Sequence, residues 1–206
     1  MGETAGVSPS HDHPHDHHHA AEESATPGPL ADASVRTGRP NDAPAIGAVQ
    51  AMVFRSVYAG VVPKSVLDQF DPDRFAAAWR GSIAQPPTPA HRVMVACAGE
   101  QVVGFAALGP TTDTDEAVPE RCGEIMVLAI HPDARRSGHG SRLLNASGDT
   151  LRANDCAAVL TWVLADDEDT RAFCSVSGLE PDGAWRERVV GPEGETAREV
   201  RLVASL

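Results

Sequence analysis

The sequence predicts an α/β domain on a mixed, mostly antiparallel sheet flanked by helices, and three stretches carry that prediction. The first is HRVMVACAGEQVVGFAALG, residues 91–109, where two apolar runs flank Ala98-Gly99-Glu100 in the pattern of a β-hairpin. The second is residues 124–130, a nearly continuous apolar run that reads as a central strand and leads into a glycine-containing turn and a helix. The third is a C-terminal strand pair, residues 184–190 and 197–205, around a PEGE turn.

A chain of 206 residues with 42% hydrophobic content can bury one full-sized core. Residues 1–33 are expected outside it as a disordered tail, which leaves 34–206 as the domain. That tail holds six acids, four prolines and no Lys or Arg, so it has little to bury against the entropy of ordering its backbone. Its run HDHPHDHHH puts histidines at 11, 13, 15, 17, 18 and 19. Such a tract takes up Zn or Ni incidentally, whereas a functional site needs fixed geometry, and no metal centre is expected. The balance of 17 Lys+Arg against 29 Asp+Glu, formally −12, disfavours a nucleic-acid partner, although the tail supplies six of those charges. No run approaches the roughly 18 apolar residues of a membrane span, and the N-terminus lacks basic and apolar leader regions, so a cytoplasmic protein is expected. Cys97, Cys122, Cys156 and Cys174 are dispersed and read as buried free thiols.

The remaining elements follow in order. Residues 34–37 form a short edge strand, and Asn41 or Asp42 can cap a helix with Ile46, Val49, Val53 and Val57 on one face. That helix ends near Tyr58 and Gly60; residues 66–70 and 75–83 add helical turns, separated by Asp71-Pro72. A helix is expected over 138–154, with Gly148 inside it for a packing contact, then a strand at AAVLTWV. Asp166 or Asp167 opens a last helix that Gly178 stops. Trp79 and Trp162 read as core, while Trp185 borders a cleft. The loop from Thr111 to Glu120 carries Asp113, Asp115, Glu116 and Glu120 and reads as solvated; folded over a cleft, it would attract a cation.

The decisive stretch is IHPDARRSGHGSRLL, residues 130–144. Glycines at 138 and 140 let successive backbone N–H groups converge at a helix N-terminus, a concavity suited to phosphate, and Arg135 and Arg136 add charge. The Gly-Lys-Ser/Thr of a Walker loop is absent, and a dinucleotide fingerprint lacks its third glycine, since Leu143 stands there. The spacing Arg135-x-x-Gly138-x-Gly140 resembles the coenzyme A loop of the GCN5-related N-acetyltransferase (GNAT) superfamily. The resemblance extends in element order from about Ser34 to Ser205. It implies a single GNAT-like domain, acetyl-CoA as cofactor, and transfer of an acetyl group to a primary amine of a small molecule or a protein. It further implies that the loop Arg135, Arg136, Ser137, Gly138, His139, Gly140 and Ser141 holds the pyrophosphate, and that the backbone at Leu128 and Ile130 aligns the pantetheine arm. No sequence feature decides the oligomeric state, and a homodimer stays open.

Acyl transfer to an amine needs removal of a proton from the amine, support for an oxyanion, and a fate for the departing thiolate. Glu124 aligns with a position often acidic in the family and is the expected proton acceptor. In many relatives a tyrosine in the run matching Phe173-Cys174-Ser175-Val176-Ser177-Gly178-Leu179 faces the coenzyme sulfur; Cys174 stands at that position here. Asp167 replaces an asparagine that commonly precedes the helix. Two readings follow. Either the thiolate leaves with solvent's help, or the fold binds acyl-CoA, or a partner, without catalysis. Tyr58, the single tyrosine, is expected near the acceptor, as contact, as alternative proton donor, or as packing.

Overall fold

The computed structural model describes residues 1–2 and 33–206; the greater part of the expected tail, with its histidine run, lies outside the described residues, and Ala33, expected in the tail, begins the first strand. The strands are β1 (Ala33–Thr37), β2 (Arg92–Ala98), β3 (Gln101–Pro110), β4 (Cys122–Ile130), β5 (Ala158–Leu164), β6 (Glu180–Val189) and β7 (Thr196–Ser205). The helices are α1 (Ala43–Val57), α2 (Lys64–Leu67), α3 (Pro72–Ala84), α4 (His139–Arg152) and α5 (Glu168–Val176). The strands form one sheet in the order β1-β2-β3-β4-β5-β7-β6. Neighbours are antiparallel except β4 and β5, which run parallel and are joined by the crossover through α4.

Side-chain alternation divides the sheet into two faces. On one, Ile46, Val49 and Val53 of α1 pack on Val95, Phe105 and Ala129; Trp79 of α3 sits against Phe105 and donates its Nε1–H to Gln50. On the other, Leu143, Leu144 and Leu151 of α4, with Cys174 of α5 and Leu179, cover Ala106, Ile125, Ile130, Val159 and Val163. Gly47 permits the close crossing of α1 and α3: a Cβ there would lie 2.7 Å from Ala76 N and against the Pro72 carbonyl. At Gly148, expected to mark a tight contact, an added Cβ would meet Leu206 at an ordinary 3.4 Å.

Some local expectations change. Asp42 sits at the α1 N-cap, but its carboxylate makes no cap bond to the helix. It instead binds the Arg36 guanidinium at 2.7 and 2.8 Å, and Arg36 with the Arg39 amide holds its carboxyl below the usual carboxylate range. The last strand pair is longer, because β6 begins at Glu180, immediately after the α5 terminus where Gly178 adopts φ 89°. All four cysteines are free; Cys97, Cys122 and Cys174 are buried, and Cys156 is half-buried.

Candidate active site

The parallel pair opens soon after it starts. β4 and β5 are in register only from Cys122–Glu124 against Ala158–Leu160, after which Thr161 Oγ1 donates to the Ile125 carbonyl at 2.8 Å and the strands diverge. A β-bulge coincides with the divergence: Ala107 faces Val127 and Leu108 faces Ile125, so Met126 is the extra residue and is 46% exposed. The bulge resets the alternation. Glu124 lies on the α1 side of the sheet, whereas Leu128 and Ile130 lie on the α4 side with their backbone edge toward the gap. The edge follows from His131, whose N–H donates to Val103 of β3 at 2.8 Å; two-residue alternation then turns the N–H groups of Ile130 and Leu128 away from β3. Arg135 Nε takes the Ile130 carbonyl at 3.3 Å.

The gap widens into a cleft of about 650 Å³ running from Tyr58 on one face to Cys174 on the other. At its α4 end the chain makes a tight turn in which Arg136 (φ 60°) and Gly138 (φ 80°) are both left-handed before α4 begins, and backbone amides in a turn of this kind can converge on an anion. Left-handed backbone is uncommon for a residue with a side chain, and Arg136 adopts it at an exposed position. Gly140 is the close-approach glycine: a Cβ would press on the Phe173 ring at 3.3 Å and narrow the throat between α4 and α5.

Among the residues expected to act, Glu124, Leu128, Ile130, Arg135, Arg136, Gly138, Gly140, Ser141, Cys174 and Tyr58 all line this cleft. Ser137 and His139 do not appear in its wall. Ser137 is exposed, and His139 is buried at 3% exposure with Nδ1 unpartnered; burial, then Arg142, pulls its pKa down. Tyr58 stacks with Phe54 and Phe70 at centroid distances of 5.3 and 5.9 Å, and burial raises its hydroxyl pKa. Burial likewise pushes the Cys174 thiol up to about 11, with Asp167 adding to it. Asp167 caps α5 by accepting from Thr170 N at 3.0 Å.

A second pocket of about 400 Å³ adjoins the cleft at Glu124, with Trp162, Trp185, Arg186, Arg201 and the loop 112–115 in its wall. Trp162, expected in the core, faces this pocket with the Arg186 guanidinium 4.2 Å above its ring. The loop carrying Asp113 and Asp115 is not simply solvated. It folds over the pocket, and the cation it attracts belongs to the chain: Arg201, 1% exposed, lies 2.9 Å from Asp113, 3.1 Å from Asp115 and 2.7 Å from Asp182. Buried Glu199 pairs with Arg186 at 2.7 Å and Arg188 at 3.3 Å. Sequence reasoning missed Arg186, Arg188, Glu199 and Arg201. Their signal was the alternation of opposite charges on the two strands around the PEGE turn, which places Arg186 opposite Glu199.

Residues 62–178, more than half of the chain, match the Acetyltransferase (GNAT) family. The chain belongs to that family. A probable N-acetyltransferase of Mycobacterium tuberculosis is 24% identical over 151 residues, 72% of this chain and 80% of that protein. Among solved structures, the PaiA N-acetyltransferase of Thermoplasma acidophilum in complex with coenzyme A superposes with a TM-score of 0.65 at 12% identity, covering 84% of this chain and 99% of that one. The ribosomal-protein-alanine N-acetyltransferase of Brucella melitensis gives 0.64 at 20% identity, over 84% and 99%. In this GNAT chain the Arg136–Gly138 turn stands at the α4 end of the cleft, and Cys174 lines its other face. Among the described residues no group of three or more His, Cys, Asp or Glu could hold a metal, and no helix is long and apolar enough to cross a membrane.

Proposed function

We propose that this GNAT protein transfers an acetyl group from acetyl-CoA to a primary amine whose far end occupies the pocket beside Trp162. The observation that carries the reading is the gap between β4 and β5, closed at one end by the doubly left-handed turn Arg136–Gly138 and opening at Glu124 into a second pocket. These features fit coenzyme A: an anion-binding turn, an unpaired strand edge, and a throat that a side chain at Gly140 would fill.

In this reading the amides from Arg136 through Gly140 bind the pyrophosphate, with Arg135, Arg136 and Ser141 beside it. The Leu128 and Ile130 backbone pairs with the pantetheine arm as an added strand would. The coenzyme supplies a thioester, whose acyl carbon is the electrophile. A β4 backbone N–H near Ile130 that is turned toward the gap and left free by the pantetheine arm offers a donor to the acyl oxygen. Glu124 takes the proton from the amine, directly or through water, on the α1 side where the acceptor pocket lies. Tyr58 bounds the acceptor entrance. Cys174 lines the sulfur end of the cleft as a neutral thiol, and the thiolate leaves without a proton from it. A cytoplasmic location goes with this reading.

Calorimetry with CoA and 3′-dephospho-CoA, followed by a thiol-release assay over a broad amine panel, tests it. Sub-millimolar binding and CoA release above the hydrolysis background are expected; no binding of either nucleotide would overturn the assignment.

A further inference from the structure

Thr111 connects the acceptor pocket to the carboxylate at its mouth. Its Oγ1 donates to Glu124 Oε2 at 3.0 Å and accepts from the backbone N–H of Asp113 at 3.1 Å. Because the hydroxyl oxygen already accepts on one side, its single proton is committed to the carboxylate. Asp113 is fixed in turn by Arg201 Nη1 at 2.9 Å, and Arg201 is anchored by Asp182 at 2.7 Å. A chain of fixed positions therefore runs from β7 through the 111–115 loop to Glu124. Among the described residues Glu124 Oε1 has no protein hydrogen-bond partner, so one oxygen of this pocket-lining carboxylate is held and the other is left for a ligand.

We infer that Thr111 is the positioning residue of the proton acceptor. It holds one oxygen of Glu124 so that the other meets the incoming amine, and the Arg201–Asp113 pair keeps the loop in place for that task. The inference rests on the reading of Glu124 as proton acceptor. A second contribution of the same loop is shape: the backbone that presents Thr111 continues through Thr112–Asp115 as one wall of the acceptor pocket, so the acceptor and the carboxylate are located by a single anchored segment. Thr111 itself touches neither coenzyme nor acceptor, and its effect is expected in kcat with acetyl-CoA binding left alone.

The test uses the full chain, acetyl-CoA, and an alanine-initiated tripeptide, L-lysine and spermidine as acceptors. The Glu124 carboxyl carbon is followed in parallel by ¹³C NMR, assigned by its loss in Glu124→Gln. Thr111→Val, close in shape but without the hydroxyl, is expected to move that resonance and to lower kcat at least about fivefold at unchanged KM for acetyl-CoA. Thr111→Ser should restore both, and Asp113→Asn, which keeps the backbone donor and weakens the anchor, should fall between. A Glu124 resonance unmoved in Thr111→Val overturns the inference even if none of the three amines is consumed. A moved resonance with unchanged kcat overturns it equally. Failure of the underlying reading looks different: the unmodified protein binds CoA and releases no thiol with any amine.

Discussion

At the scale of single residues, the cleft places a carboxylate and a thiol on opposite faces of the sheet, and their environments assign them different work. Glu124 opens onto the acceptor pocket. Glu124→Gln is expected to lower kcat strongly at neutral pH and to regain part of it at high pH, where an alkylamine near pKa 10 is already neutral and needs no proton acceptor. A kcat that is low and pH-independent would exclude that role. Cys174 is the reverse case. With burial pushing its pKa up to about 11, it keeps its proton at pH 7 but is a weaker acid than an ordinary thiol, so donation to the departing thiolate is unfavourable at equilibrium. Cys174→Ala and Cys174→Ser should therefore be nearly silent in kcat; a hundredfold loss at unchanged CoA affinity would show the thiol to be the donor. The same burial sets the pH at which this thiol reacts. The thiolate is the nucleophile, and its fraction rises about tenfold per pH unit below the pKa. Alkylation of Cys174 by iodoacetamide, followed by peptide mass mapping, should keep rising from pH 8 to about 11, whereas in the denatured chain the rise should level near the 9.0 of an unperturbed cysteine. A native plateau at 9 would contradict the burial.

At the scale of elements, the packing that sets the cleft's α1 wall turns on one glycine. In an isolated helix Ala is favoured over Gly by about 1 kcal/mol. At position 47, however, the added methyl meets the α3 backbone at Ala76 N, 2.7 Å away, which a rotamer change cannot relieve. Gly47→Ala is expected to destabilise the fold by about 1 to 3 kcal/mol, read as a lower urea midpoint; an unchanged or higher midpoint would show that α1 and α3 do not approach this closely. This glycine was not legible from the chain, since its partner lies in another helix. What was legible has a local cause. The 91–109 hairpin, α4 and β5 carry their periodicity and their punctuating glycines within a dozen residues, and the structure returns them with boundaries moved by a residue or two. Trp162 and Arg201 were not, for one shared reason. Charged and apolar residues alternate along β7, and Arg201 on its charged side meets Trp162 of β5 and Arg186 of β6 in the wall of the second pocket, which only the assembled sheet brings together. The contact that fixes it, Arg201 to Asp113, joins residues 88 positions apart.

At the scale of the whole molecule, a single departure from antiparallel pairing organises everything described. The parallel β4–β5 pair requires a crossover, α4 provides it, and the start of that helix sits at the open end of the strand gap, where a turn of left-handed residues can meet an anion. The sequence predicted this turn between strand and helix, because two glycines and two arginines there have a local physical meaning. The acceptor end stayed closed to it, since loop 111–115, β6 and β7 come together only in the fold. The most direct measurement of the central claim is a crystal structure with acetyl-CoA bound. The expected result is a diphosphate against the amides of residues 136–140, the pantetheine arm along Leu128 and Ile130, and a sulfur nearer to Cys174 than to any histidine. A coenzyme bound outside the β4–β5 gap, or a diphosphate held away from that turn, would contradict it.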